Sequence, residues 1–321
     1  MHNVSIINDL DQCRDVWKRA VPQETIWDTW EFRACFQEHF KRPACFVTAE
    51  NPQGFTEILP LSWIEESQSY GYFPGETWRG MTWLEQNRIP ASPKTILDML
   101  DVCPGQYYLR YLLPSSESIQ QNQQHPVDEI GYLFLPPKYD YDIDNYFKEF
   151  SRKSEKGIKR VVDSLHCRAS YRYDDIADFE HLVQLNIDNF KEYSYFHDQR
   201  FLDSFRSMMH YLNEKGWLRL TTVIIDGDVA AVDMGCIYRG HYTLLGGGTN
   251  RDYPGIAKLI NLLHIQRGCR ERFDVVDFLC GDFSWKLHFH LTPRPLYLLA
   301  NCSLENPHSQ SHELGGAEHV K

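Results

Sequence analysis

The sequence predicts an α/β protein, on three observations. Two helical stretches precede a strand-like one within the first 135 residues. Asp226-Gly227 separates two strand-like runs, a strong hairpin signal. A third run ends in Gly246-Gly247-Gly248 and is followed in turn by a helix, a strand, a helical turn and a strand. At 321 residues the chain is long enough for two domains, each with its own core. Hydrophobic residues at 42% and charged residues at 24% fit a soluble globular protein.

The first 135 residues read as a mixed α/β unit: helices over about Asp9–Ala20 and Glu24–Phe40, a strand-like run over 42–50 and a second apolar stretch near Ile58–Trp63. G-Y-F-P-G-E-T-W-R-G (71–80) carries loop punctuation, and the polar 115–126 stretch reads as an exposed loop. Asp140, Asp142 and Asp144 precede a helical run to about Leu165, where acids suit the positive end of a helix dipole. Arg152, Lys156, Lys159 and Arg160 share one face of that run, either a solvated surface or a stripe that steers phosphates.

From Trp217 the pattern turns to strands: 217–225, the turn, 228–237, a second turn at Arg239-Gly240, then 241–248. After T-N-R-D-Y-P-G a helix begins, with Pro254 in its first turn and Ile256, Leu259, Ile260 and Leu263 on one apolar face. Arg267 and Gly268 mark its end, V-V-D-F-L-C (275–280) is the next strand, and P-L-Y-L-L-A (295–300) the last. A polar tail from Asn301 reads as disordered.

The net charge of −11, from 44 acids and 33 bases, argues against bulk DNA or RNA binding. No apolar stretch reaches the roughly 18 residues of a membrane span, and the N-terminus lacks an apolar leader segment. Nine cysteines with no C-x-x-C pair read as reduced thiols, and the expected compartment is the cytoplasm.

Within V-V-D-F-L-C-G-D-F-S-W-K-L-H-F (275–289), Asp277 lies in an apolar run, with Asp282 and Lys286 just beyond Gly281. A buried carboxylate is costly unless paired, so these three form either a structural ion pair or a charged pocket floor. Asp233 alternates with Val229, Ala231 and Gly235, small neighbours that leave room beside a carboxylate. It is either a general base or an acid paired to a nearby cation. The glycines before the helix at Gly255 make an anion site or simply a turn, since helix N-termini present free N–H groups. No G-x-S-x-G or H-E-x-x-H motif is present, His288 and His290 lack a ligand-spaced partner, and Cys280 has no activating His nearby in sequence. No metal is expected.

Together the hairpin, the G-G-G strand, the P-G-I-A-K-L helix and D-F-L-C-G-D-F-S-W-K-L-H-F resemble the GNAT acyltransferase superfamily, in its FemAB-like and CelD-like branch. Asp277, Gly281, Asp282, Trp285, Lys286 and Phe289 fit that group's motif, and S-R-K-S-E-K-G-I-K-R (151–160) resembles its basic connecting helix. The resemblance implies two GNAT-like halves, each a mixed, mostly antiparallel sheet with flanking helices. The expected division is an N-terminal half over 1–138, the connecting helix over 139–166, an acyltransferase half over 167–303 and a disordered tail over 304–321.

It further implies an N-acyltransferase that moves an acyl group from an acyl-CoA-type thioester to an amine of a small molecule or cell-envelope precursor by direct attack. Gly247, Gly248, Tyr253, Gly255, Ile256, Ala257 and Lys258 would hold the donor, and Asp233, Asp282, Lys286 and Asp277 would carry the chemistry. The R/Q-x-x-G-x-G/A phosphate loop of ordinary GNAT enzymes is replaced by T-N-R-D-Y-P-G-I-A. The alternatives are therefore an aminoacyl-tRNA donor, as in the Fem branch, or a non-catalytic ligand-binding protein.

Overall fold

A computed structural model describes residues 4–51, 53–114, 126–281 and 284–303. Asp282, the core of the expected 115–126 loop and the expected 304–321 tail lie outside the described residues. The chain divides into two compact units, one of Met1–Gln23, Trp27–Asp128 and Leu296–Lys321, the other of Glu24–Ile26 and Glu129–Pro295.

The first unit opens with β1 (Val4–Ile7), α1 (Leu10–Ala20), α2 (Trp30–Phe40), β2 (Ala44–Glu50), β3 (Thr56–Ile64), β4 (Ser69–Tyr72), α3 (Pro93–Asp101) and β5 (Tyr108–Leu112). Strands β1-β2-β3-β4 form an antiparallel sheet in that order. Its core is aromatic: Trp30 stacks on Phe73 at 4.8 Å, and Phe46 meets Phe73 edge-on at 5.2 Å. Asp9 caps α1 by accepting from the Gln12 N–H at 2.9 Å. The expected second helix from Glu24 starts instead at Trp30, after a 3-10 turn over Ile26–Asp28. Side chains explain the delay. Trp17 Nε1 donates to the Asp28 carbonyl and Arg33 Nε to the Trp27 carbonyl, each at 2.8 Å, which takes acceptors that an earlier helix would use.

The second unit contains β6 (Val127–Phe134), α4 (Ile143–Phe147), α5 (Arg152–His166), β7 (Ala169–Tyr173), α6 (Asp178–Phe190), α7 (Gln199–Glu214), β8 (Leu218–Ile225), β9 (Asp228–Tyr238), β10 (His241–Thr249), α8 (Ile256–Arg270), β11 (Val275–Asp277) and α9 (Ser284–His288). The chain then enters β12 (Thr292–Ala300), whose later residues pair with β5 in the first unit. Strand order in the second unit is β6-β11-β10-β9-β8-β7, antiparallel throughout except for the parallel pair β10/β11.

The β8–β9 turn has φ of 53° at Asp226 and 97° at Gly227, the left-handed pair that a two-residue hairpin needs. The single helix expected up to Leu165 is two helices. Ser151 breaks it by capping α5, accepting from the Ser154 N–H at 3.2 Å. Pro254 lies just ahead of the next long helix rather than in its first turn, because Gly255 at φ 90° is the N-cap of α8.

Candidate active site

Strands β10 and β11 run side by side for three residue pairs only, His241 with Val275, Tyr242 with Val276 and Thr243 with Asp277. Beyond Asp277 the chain stays with β6: Phe278 N–H donates to the Tyr132 carbonyl at 2.9 Å, and Tyr132 N–H to the Leu279 carbonyl at 3.1 Å. Strand β10 continues alone to Thr249, and its register against β9 shifts between Leu244 and Gly246 at the same level. A bulge bends a strand and adds twist, so it turns β10 away from β11 where the two part. The result is a wedge between parallel strands, and past it the Gly247 and Thr249 carbonyls of β10 accept instead from Asn186 and Asn189 of α6, at 3.0 and 2.8 Å.

At the far end of β10 lies the start of α8. Its N-cap, Gly255, has no side chain to satisfy the first N–H groups. Ile256 N–H reaches the Tyr253 carbonyl at 3.0 Å and Lys258 N–H the Gly255 carbonyl at 2.9 Å, while the N–H groups of Gly255 and Ala257 meet no acceptor among the described residues. Ala257 and Lys258 are exposed. An exposed helix mouth with free N–H groups suits a phosphate. Tyr253 points elsewhere, its hydroxyl donating to Asp228 at 3.1 Å.

The glycines have packing roles of their own. A Cβ on Gly248 would stand 2.5 Å from the Cβ of Leu185 and 2.9 Å from the Asn186 nitrogen, so β10 lies close under α6. Asn186 then donates to the Gly247 carbonyl at 3.0 Å. A Cβ on Gly255 would collide with Val161 of α5. On Gly247 it would stand 2.9 Å from Cγ of Asp233 and nearer still to Oδ1.

Asp233 pairs with Gly247 across β9 and β10 and points to the α8 face. Its Oδ2 lies 2.9 Å from Nε2 of His264. The side chain is 14% exposed, and Oδ1 has no hydrogen-bond partner among the described residues. The other ring nitrogen, Nδ1 of His264, lies 3.0 Å from the Tyr242 hydroxyl. Burial pushes the Tyr242 phenol well above its ordinary range. Sequence reasoning missed His264. Its signal was a polar residue in the apolar stretch L-L-H-I of a helix, where a partner is required.

Asp277 and Lys286 hold one turn between them. Asp277, 3% exposed, accepts from the Leu279 N–H at 2.9 Å and from Arg294 at 3.0 Å. The Lys286 ammonium, 2% exposed, donates to the carbonyls of Phe278, Leu279 and Cys280 at 3.0, 3.0 and 2.6 Å and lies over the Tyr132 ring. Leu279 and Gly281 have positive φ, so this chain segment needs such anchors. Val276 meets α8 at Gly268, so Asp277, the next residue in the strand, projects from the opposite face. Asp233 and Asp277 therefore stand on opposite faces of the sheet and do not share one constellation. Lys286 lies on the α8 face, in the layer of Tyr132, Tyr242 and Val276.

On α5, Arg152, Lys156 and Arg160 are exposed, while Lys159 pairs with Glu155 at 2.7 Å and covers the Phe147 ring. Among the described residues no cluster of three or more His, Cys, Asp or Glu side chains is placed to hold a metal ion.

Residues 149–287 match the family profile of the acetyltransferase (GNAT) domain. The fold is similar to that of FemX, at a TM-score of 0.58 and 8% identity over 92% of this chain and 96% of that one. L-PGS from Bacillus licheniformis is similar at 0.56 and 10% identity, covering 92% and 94%. A conserved protein of unknown function from Bacteroides thetaiotaomicron VPI-5482 matches at 0.56 and 10% identity, over 94% and 99%. At such identities the likeness is one of fold, and no curated protein matches the sequence. Residues 149–287 thus match the GNAT acetyltransferase domain, in a chain whose fold is similar to that of FemX.

Proposed function

We propose that the chain is an N-acyltransferase that moves an acyl group from an acyl-CoA-type thioester to the amine of a small molecule or cell-envelope precursor. The observation that carries this reading is the parting of β10 and β11 after Thr243 and Asp277, with β10 running on to Thr249 and the chain then reaching the mouth of α8. The edge of β10 that has no β11 partner beyond Thr243 would bond the amides of a pantetheine arm as it would an added strand, with Asn186 and Asn189 giving up the Gly247 and Thr249 carbonyls. The donor's phosphates would lie at Gly255, Ala257 and Lys258. A backbone N–H near the bulge would stabilise the oxyanion.

The acceptor amine attacks the thioester carbonyl directly. The C–N bond forms, the C–S bond breaks with its electron pair leaving on sulfur, and the amine proton passes to Asp233 Oδ1 and from there to sulfur or solvent. Gly247 and Gly248 shape β10 in this reading, and Lys286 and Asp277 hold the 278–280 turn that forms the opposite wall of the wedge. The resemblance also gives Asp282, outside the described residues, a part in the chemistry.

A second reading is transfer from an aminoacyl-tRNA, which the resemblance to the Fem branch implies and the exposed Arg152, Lys156 and Arg160 favour. A non-catalytic ligand-binding role would keep the wedge but need no base.

Gly255 is a poor probe of the donor site, because its φ of 90° and its contact with Val161 make any side chain there a packing change. Ala257→Glu is the better variant. An acid in the first helical turn favours the helix dipole, so stability should hold, while the same charge repels a phosphate. Acetyl-CoA should raise the melting temperature of the wild type and not that of Ala257→Glu. Equal shifts in both would remove the helix mouth from the donor site.

A further inference from the structure

If Asp233 takes the acceptor's proton, α8 supplies that carboxylate with a partner of its own, His264. His264 is 1% exposed, and both ring nitrogens are engaged. An ionised carboxylate only accepts hydrogen bonds, so the Nε2 nitrogen 2.9 Å from Oδ2 carries a hydrogen. In the neutral ring with its one hydrogen on Nε2, Nδ1 can only accept, and the Tyr242 hydroxyl 3.0 Å away, whose proton burial retains, is the donor. Tyr242 also meets Arg267, one turn along α8 from His264. Arg267, whose Nη1 donates to Thr221 at 3.2 Å, lies 5.9 Å from the Tyr242 ring centre. Gly247 leaves room for the carboxylate above β10, where a Cβ would stand 2.9 Å from Asp233 Cγ.

We propose that His264 is a positioning residue for Asp233: its Nε2–H pins Oδ2, so that Oδ1 is presented to the wedge, and Tyr242 fixes the histidine tautomer that makes this possible. The inference rests on Asp233 acting as the base. It adds that a helix residue with no access to substrate sets the efficiency of that base. A carboxylate held by one oxygen cannot rotate away from its target. A misplacement of about 1 Å at a reacting group costs roughly 10²-fold in rate.

The test uses the full chain with acetyl-CoA and a mixture of amino acids, amino sugars and polyamines as acceptors, with thiol release as the readout. Donor affinity is measured separately by calorimetry. His264→Phe should lower kcat by roughly 10²-fold with donor Kd within about twofold, as for any change confined to the chemical step. His264→Gln, which offers an N–H to Oδ2 and a carbonyl to Tyr242, should recover most of that loss. In an Asp233→Asn background, His264→Phe should cost nothing more, because the two act as one unit.

A His264→Phe enzyme with wild-type kcat, beside an inactive Asp233→Asn, would overturn the proposal while sparing the base. Losses that add in the double variant, or a Gln variant no better than Phe, would overturn it as well. A fully active Asp233→Asn would remove the base itself, and a wild type that turns over no donor would remove the acyltransferase reading. Each of these two results takes the proposal with it and stays distinct from the first.

Discussion

The carboxylate of Asp233 occupies the space that a side chain on Gly247 would need. The two residues face each other across β9 and β10, and the close approach explains why a small residue stands at 247. Gly247 has no positive φ, so alanine suits the backbone there. Gly247→Ala should fold and should swing the carboxylate off His264. We expect kcat to fall about tenfold or more with little change in melting temperature, since a general base contributes about 10²–10⁴-fold. Asp233→Asn should show the full loss. Steady-state kinetics on both variants checks this, and a wild-type kcat for Gly247→Ala would show that the carboxylate's position is immaterial.

Gly248 should behave in the opposite way. Its Cβ position meets Leu185 and backbone atoms of α6 at 2.5–3.1 Å, and backbone cannot swing aside. Gly248→Ala should destabilise by about 1–3 kcal/mol through overpacking. Urea unfolding measures it, and an unchanged midpoint would mean that α6 sits farther from β10.

Arg294 and Lys286 anchor the turn after β11 from two sides. Arg294→Met removes an ion-pair partner of Asp277, whose side chain is 5% exposed, and should cost about 3 kcal/mol. Adding Asp277→Asn should return part of that loss. Lys286→Met strips the donor from three successive carbonyls and should cost a similar amount, roughly 3 kcal/mol. If unfolding midpoints stay put and only the acceptor KM rises, Lys286 grips substrate rather than the turn.

Acid should unfold the second unit partly through Asp178. Burial alone would raise its pKa, but hydrogen bonds from Arg172 and from Thr222, the latter at 2.5 Å, outweigh burial and hold it below the ordinary 3.8. A depressed carboxylate pKa stabilises the fold above the unfolded-state value. That contribution fades as pH falls from about 3.8 through the lower folded value. Asp178→Asn should flatten the pH dependence of stability in that window, as measured by denaturant unfolding at a series of pH values. An unchanged acid limb would assign acid sensitivity to other carboxylates.

Local chemistry made much of the fold readable. Asp226-Gly227 specifies the hairpin because both positions need left-handed backbone, and Ile256, Leu259, Ile260 and Leu263 specify α8 through their spacing. Other features depend on distant partners. Residues 169–214, unassigned from the pattern, form β7, α6 and α7. The run V-V-D-F-L-C stops as a strand at Asp277 because Leu279 turns left-handed under the hold of Asp277 and Lys286. The Asp233–His264 contact joins residues 31 apart and carries no local signature. The glycines of β10 invite a ligand-binding reading, yet their neighbours in space are Asp233, Phe205 and α6.

Donor binding tests the account most directly. The wedge between β10 and β11 and the mouth of α8 are read as the seat of a pantetheine thioester. Acetyl-CoA at about 100 times its Kd should stabilise the protein by roughly 2.7 kcal/mol, seen as a raised melting temperature. Native mass spectrometry should show one CoA bound per chain, and Ala257→Glu should lose both signals. If neither acetyl-CoA nor longer acyl-CoAs shift the melting temperature at millimolar concentration, while aminoacyl-tRNA binds in a salt-dependent way through Lys156 and Arg160, the acyl-CoA account is wrong.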